Sequence, residues 1–341
     1  MSIVSKSLYM SKPAFLSCIV PCLNEHANLA ILLPELLVTL EPHVDQLEII
    51  VVDDGSTDAT PDFMRRMCSL HAQIVYLRLS RNFGKEAALT AGLEAARGTV
   101  MVCLDADLQH PPQMVPAMLA RWREGIQMVY AVRASRTEES PFKRLGTRLF
   151  YALMRTSDGL TVPPNAGDFR LMDRMVVDAL LKLPERDRFM KGLFAWVGFE
   201  AEPMPYTPLQ RRFGVSRFRP LKLLRFAVDG LTAFTTWPLR ILSLVGACLS
   251  LVAFLYGLFI IITHWLYGDA VRGWATLITV VLFFSGVNLM SLGVVGEYIA
   301  RIFTEVKGRP VYLLREHLGG DGASAQAKQT DDVPAQDKDA S

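Results

Sequence analysis

The chain has 341 residues, 51% of them apolar, with a mean hydropathy of +0.25 and a formal net charge of +2. That length holds one sizeable domain and further elements, and most of the apolar excess lies between Ile241 and Gly296, so one chain is built for two solvents. The small net charge argues against a nucleic-acid partner, and five cysteines without CxxC spacing argue against a disulfide framework or a zinc site.

The first apolar run, Ala14 to Cys22, is short and ends in polar Asn24-Glu25. That pattern suits a first strand better than a cleaved leader, and the soluble part is expected in the cytoplasm. Strands are expected over Phe15–Val20, Glu48–Val52, Ile74–Leu79, Val100–Leu104 and Met128–Ala131. Amphipathic stretches over Leu29–Leu40, Ala59–Leu70 and Lys85–Ala96 separate them. The β-α-β-α rhythm predicts an α/β domain with a mostly parallel sheet covered by helices. Polar clusters follow three strand ends: Asn24-Glu25, Asp53-Asp54-Gly55-Ser56 and Asp105-Ala106-Asp107. Ligands bind at the carboxyl ends of the strands in such sheets.

Residues 136–216 are less regular and carry dense polar motifs. Pro220 to Thr236 reads as an amphipathic helix with Leu221, Leu224, Val228 and Leu231 on one side. Two stretches free of charge follow, Ile241–Thr263 and Trp274–Gly296. Each is long enough to cross a hydrocarbon core of roughly 30 Å at about 1.5 Å per residue. Arginines and lysines crowd the outer flanks (Arg211 to Arg240, then Arg301 to Arg315), while the connecting loop carries only Arg272, offset by Asp269. Both ends of this hairpin are therefore expected to face the cytoplasm, with the basic flanks also drawn to anionic headgroups. The expected organisation is a cytoplasmic domain over 14–216, a juxtamembrane helix over 217–238, two transmembrane helices within 239–300, a cytoplasmic segment over 301–318 and a disordered tail over 319–341. Asn288 reads as an interhelical hydrogen-bond group.

Asp105 and Asp107 flank one residue at the end of an apolar strand, so their carboxylates can converge on one hard cation that keeps positions open for water and phosphate oxygens. Such an ion would stabilise a pyrophosphate leaving group. His110, ahead of Pro111-Pro112, reads as structural. The Asp53–Asp58 cluster admits two compatible readings: an Asx turn that caps the next helix, or carboxylates that accept from a nucleobase or ribose.

Val20-Pro21-Cys22-Leu23-Asn24-Glu25, Asp53-Asp54-Gly55-Ser56 and Asp105-Ala106-Asp107-Leu108-Gln109 together resemble family 2 glycosyltransferases with a GT-A fold. Arg81-Asn82-Phe83-Gly84-Lys85-Glu86, Gly167-Asp168-Phe169-Arg170, Leu183-Pro184-Glu185-Arg186 and Gly296-Glu297-Tyr298-Ile299 narrow the resemblance to polyprenyl-phosphate glycosyltransferases, above all the bactoprenol glucosyltransferases of O-antigen modification. The resemblance implies inverting transfer of a sugar, glucose from UDP-glucose by preference, to undecaprenyl phosphate at the inner membrane of a bacterium, with Mg²⁺ or Mn²⁺ and a homo-oligomeric assembly.

It also implies roles by position. Pro21, Leu23 and Glu25 match a donor-contacting loop, Asp53 and Asp54 a base-and-ribose site, and Asp105, Asp107 and Gln109 a metal and diphosphate site. Arg133 matches a donor-binding arginine, and Lys85 stands with the substrate-binding residues. Arg211, Ser216 and Arg217 match an RxxGxSK element that closes over donor phosphates, with Arg217 in place of the usual lysine, a planar fork for a compact ammonium. The other reading of that stretch is a basic face on anionic lipid. Asp168 is the foremost catalytic candidate, with Asp107 beside it, and Arg170 a group that orients Asp168 or binds acceptor phosphate; the alternative is a structural Asp168–Arg170 pair. Two other classes compete. A polysaccharide synthase would need more membrane than one hairpin and a QxxRW element, and a scaffold would not need the Asp105–Asp107 pair, Asp168 and Arg211.

Overall fold

The structure is a computed structural model in which residues 13–133, 166–186, 188–207, 237–267 and 273–320 are described. Arg211, Ser216, Arg217, the 220–236 helix, most of the hairpin loop and the tail from 321 onward lie outside these residues.

The first part of the chain alternates as the sequence implies: β1 (Phe15–Cys22), α1 (His26–Leu40), β2 (Gln46–Asp53), α2 (Thr60–Leu70), β3 (Ile74–Leu79), α3 (Lys85–Ala95), β4 (Val100–Cys103), α4 (Val115–Arg123) and β5 (Met128–Arg133). β6 (Ala166–Asp173), α5 (Arg174–Leu181), α6 (Met190–Trp196) and β7 (Ala201–Tyr206) follow. An eight-stranded sheet runs β7-β5-β6-β4-β1-β2-β3-β8, its last strand being β8 (Leu314–Leu318). β1 pairs in parallel with β2 and β4, β2 with β3, and β5 with β7; β6 and β8 run antiparallel to their neighbours.

The core forms because β1 and β2 are apolar along most of their length. Leu16, Cys18 and Val20 on one face of β1 pack with Leu29, Leu32, Leu33 and Leu36 of α1. On the other face α3 approaches closely at Gly92, where an added Cβ would sit 2.4 Å from Ile19 Cγ2.

Three strands depart from the sequence reading. β6 contains Gly167-Asp168-Phe169-Arg170, a stretch read from the sequence only as a polar motif, and Gly167 lies within the strand with Phe169 N 3.8 Å from an added Cβ. β7 carries prolines at 203 and 205, tolerated because it is an edge strand whose outer side needs no ladder donors. β8 lies in the segment expected to be merely juxtamembrane; it closes the β3 edge, aided by two Arg65–Glu316 hydrogen bonds of 2.8 and 2.9 Å and by Tyr312–Glu94.

A second compact unit contains α7 (Trp237–Tyr267) and α8 (Trp274–Val306). α7 contains the first expected crossing. α8 starts at the expected residue but continues ten residues past Gly296, taking in Glu297, Arg301 and Glu305. Among the described residues, Phe283–Val306 is long and apolar enough to cross a membrane by length and composition, with a mean hydropathy of 1.3.

Candidate active site

The site lies at the carboxyl ends of β1, β2 and β4. Asn24 adopts φ 57°, and its Oδ1 accepts from Thr57 N at 2.8 Å while its own N–H donates to Ser56 Oγ at 2.8 Å. The β1 and β2 loops are thereby stitched together. Asp53 is fully buried: Oδ1 accepts from Ser56 N at 2.7 Å and Oδ2 from the Tyr76 hydroxyl at 2.7 Å. Asp54 accepts from Phe83 N at 2.7 Å and Gly84 N at 2.9 Å. Burial raises its pKa, and these two N–H groups oppose the rise. Both carboxylates thus hold loops in place; ahead of α2 it is Asp58 whose Oδ1 accepts from Thr60 N at 3.0 Å, while the N-cap residue Ala59 makes no side-chain cap. Gly55, at φ 79°, meets the Arg81 backbone, where an added Cβ would lie 2.7 Å from Arg81 C. Pro21 is buried at the end of β1, Leu23 is half-buried, and Glu25 Oε2 accepts from Asn28 Nδ2 at 2.5 Å.

β6 brings the second half of the site. Its antiparallel register sets Cys103 opposite Arg170, and continuing it by two residues sets Asp105 opposite Asp168. Lys85, at the start of α3, bridges them: its Nζ lies 2.5 Å from Asp105 Oδ1 and 2.6 Å from Asp168 Oδ2. Burial works against charge on Asp168, yet Lys85, with Lys191 and Arg170, holds its pKa down to about 2. Burial likewise opposes the Lys85 charge, and the two carboxylates more than reverse it. Asp168 therefore pairs with Lys85. Arg170 donates to Gly167 O at 2.7 Å and stacks on Phe194, 3.5 Å from the ring centroid.

Beside this centre, Asp107 Oδ1 accepts from Gln109 N at 3.2 Å, and Arg133 Nη2 donates to Gln109 Oε1 at 3.3 Å. Asp107, Gln109 and Arg133 thus form one group. His110 is buried, stacks on Phe169 at 4.9 Å, and accepts at Nδ1 from Asp105 N. Burial lowers its pKa.

The donor set Asp105, Asp107 and Gln109 is all oxygen, which suits a hard divalent cation. Lys85 shows that positive charge already settles against Asp105. Among the described residues no group of three or more His, Cys, Asp or Glu is gathered as a ligand cage. An ion here would therefore take much of its coordination from water and substrate.

Sequence reasoning missed Asn24 and Tyr76 as organisers of the loops, and Glu86, whose pKa burial pushes up to about 7. The only signal for Glu86 was its place next to Lys85 at a helix start.

Acidic strand ends on a mostly parallel sheet, in a chain that matches a glycosyltransferase profile, define a GT-A-like glycosyltransferase. Residues 17–181 match the Glycosyl transferase family 2 profile and residues 237–302 the GtrB C-terminal hairpin. An uncharacterized glycosyltransferase of Synechocystis is 43% identical, with 89% of this chain and 96% of the relative aligned. A prophage-derived bactoprenol glucosyl transferase of Shigella flexneri is 38% identical over 89% and 99%. Glucosyl-3-phosphoglycerate synthase of Mycobacterium tuberculosis aligns with a TM-score of 0.45 at 23% identity, covering 69% of this chain and 83% of that one. The chain belongs to the family 2 glycosyltransferases and groups with the bactoprenol glucosyl transferases.

Proposed function

We propose that this enzyme transfers a sugar, glucose from UDP-glucose by preference, onto undecaprenyl phosphate at the cytoplasmic face of a bacterial inner membrane, with α7 and α8 as a two-pass anchor. The observation that carries the chemistry is the meeting of Asp105, Lys85 and Asp168 where β4 ends and β6 begins. Relatives named as bactoprenol glucosyl transferases support the lipid acceptor, and the apolar helix Phe283–Val306 together with the match to the GtrB C-terminal hairpin supports the membrane anchor.

In this reading Asp105, Asp107 and Gln109 hold Mg²⁺ or Mn²⁺, which supplies charge neutralisation for a diphosphate leaving group. Arg133, through Gln109, stands beside the same diphosphate. Pro21, Leu23 and Glu25 line the donor side, and Asp53 and Asp54 serve it by fixing the loops. Arg211, Ser216 and Arg217 close over the donor phosphates. Asp168, ionised at neutral pH, orients the acceptor phosphate or takes its residual proton, with Lys85 steering both anions. A phosphate monoester attacks largely ionised, so the demand on a general base is modest. One displacement at the anomeric carbon inverts its configuration.

The test is a screen of nucleotide sugars with the purified full chain in detergent, undecaprenyl phosphate and Mg²⁺ or Mn²⁺, read by mass spectrometry of the lipid. UDP-glucose should give a hexosyl lipid phosphate, EDTA should abolish it, and Asp107→Asn should lose it with α7 and α8 intact. Full activity after exhaustive chelation would remove the metal from the account, and a better donor would replace glucose.

A further inference from the structure

Glu86 takes no part in the reading above, yet it occupies the first turn of α3 directly after Lys85. Its Oε2 is buried and has no hydrogen-bond partner among the described residues. The same holds for Asp168 Oδ1, although Asp168 Oδ2 is taken up by Lys85. Two neighbouring carboxyl groups thus each keep a buried acceptor oxygen without a donor. Buried polar atoms are seldom left so, because each costs its full desolvation.

The surroundings decide which group supplies the missing proton. Asp168 has Lys85, Lys191 and Arg170 to hold it ionised. Glu86 meets burial first and the Asp168 charge next; Lys85, the Met190 N–H at the start of α6, and Lys191 oppose these, and the result is a pKa of about 7. The other charged groups facing it are Arg170 on β6 and Arg188, which reaches Thr90 one turn along α3 at 3.5 Å. When environments push two neighbouring carboxyls apart in this way, one is kept as an acid and the other as a base.

We propose that Glu86 is a positioning residue for the transfer: as the neutral acid it donates its O–H toward the free oxygen of Asp168 and fixes that carboxylate for the acceptor phosphate. The proposal rests on the role given to Asp168 above. With Glu86 neutral, the second oxygen of Asp168 gains a donor. Once Glu86 ionises, it becomes a second anion that repels both Asp168 and an incoming phosphate. Activity is therefore full below about pH 7 and declines as the pH rises through that value.

The test compares wild type, Glu86→Gln and Glu86→Ala as full chains in nanodiscs. The glutamine amide donates as the neutral acid does and cannot ionise. Glu86→Gln should keep transfer within about threefold of wild type below pH 7 and lose the decline above it. Glu86→Ala should lose transfer by about ten- to a hundredfold across the range. A glutamine variant as inactive as the alanine variant with unchanged melting, or one that keeps the wild-type alkaline decline, would overturn the proposal. A second readout needs no substrate. The infrared spectrum of the wild type should show a protonated-carboxyl stretch at pH 6 that titrates near pH 7, and its absence would also overturn the proposal. That band is independent of which sugar or lipid the enzyme uses, so its failure is distinguishable from failure of the proposed function.

Discussion

Lys85 reaches two carboxylates at once, and that determines what Asp168 can do. Had Asp168 been committed to Arg170, its removal would cost the fold a buried pair. Because its partner is Lys85, which Asp105 also holds, Asp168→Asn leaves the ammonium an anion to rest on. Asp168→Asn should therefore keep donor affinity, measured by calorimetry, while transfer falls by roughly two to four orders of magnitude. Near-wild-type transfer would move the acceptor-side role to Arg170 and Lys85. A stability signature follows as well. The folded pKa of Asp168, about 2, lies below its ordinary value of 3.8, so the pair contributes fully above about pH 4 and is lost as pH falls through 2. That contribution is about 2 kcal/mol. Acid melting of the wild type should be steeper over this window than that of Asp168→Asn, and identical slopes would contradict the pairing.

At the level of elements, the site depends on loops that brace one another. Gly55 sits against the backbone of the loop leading to α3, and it takes a φ of 79° that other residues adopt only with strain. Gly55→Ala should lower stability by about 1–3 kcal/mol and reduce transfer through displacement of Lys85. A variant with unchanged melting and unchanged transfer would show that the loop yields freely. The same elements show what was legible in the sequence. β1 to β5 could be read because buried parallel strands are nearly continuous apolar runs, and the Asp105–Asp107 pair because it follows one of them. β6 could not, because Asp168 and Arg170 alternate with Phe169 and Leu171 and look like a polar motif. β7 was hidden by its prolines and β8 by Arg315, Glu316 and His317. The pairing of Asp105 with Asp168 follows from an antiparallel register that no local pattern encodes. Asn24 was quoted only as part of a motif, and its stitching of two loops needs the third dimension.

On the scale of the whole molecule, the chain leaves the sheet after β7, forms two long helices, and returns to supply β8. Leu251, Phe254 and Phe259 of α7 and Leu289, Met290 and Phe303 of α8 are exposed, a pattern suited to lipid. On the proposed orientation, a cysteine at position 268 should react with an impermeant reagent in intact cells and one at position 327 should not, in a background without native cysteines. The reverse labelling would overturn the orientation. The central claim is that the acceptor is a lipid phosphate, and the most direct measurement is a comparison of two acceptors. The purified chain, given UDP-glucose and metal, should glycosylate a short polyprenyl phosphate, shown by a hexose gain in the lipid's mass. It should leave the corresponding polyprenol untouched. Equal transfer to the alcohol, or donor consumption that is the same with and without the lipid phosphate, would contradict the account.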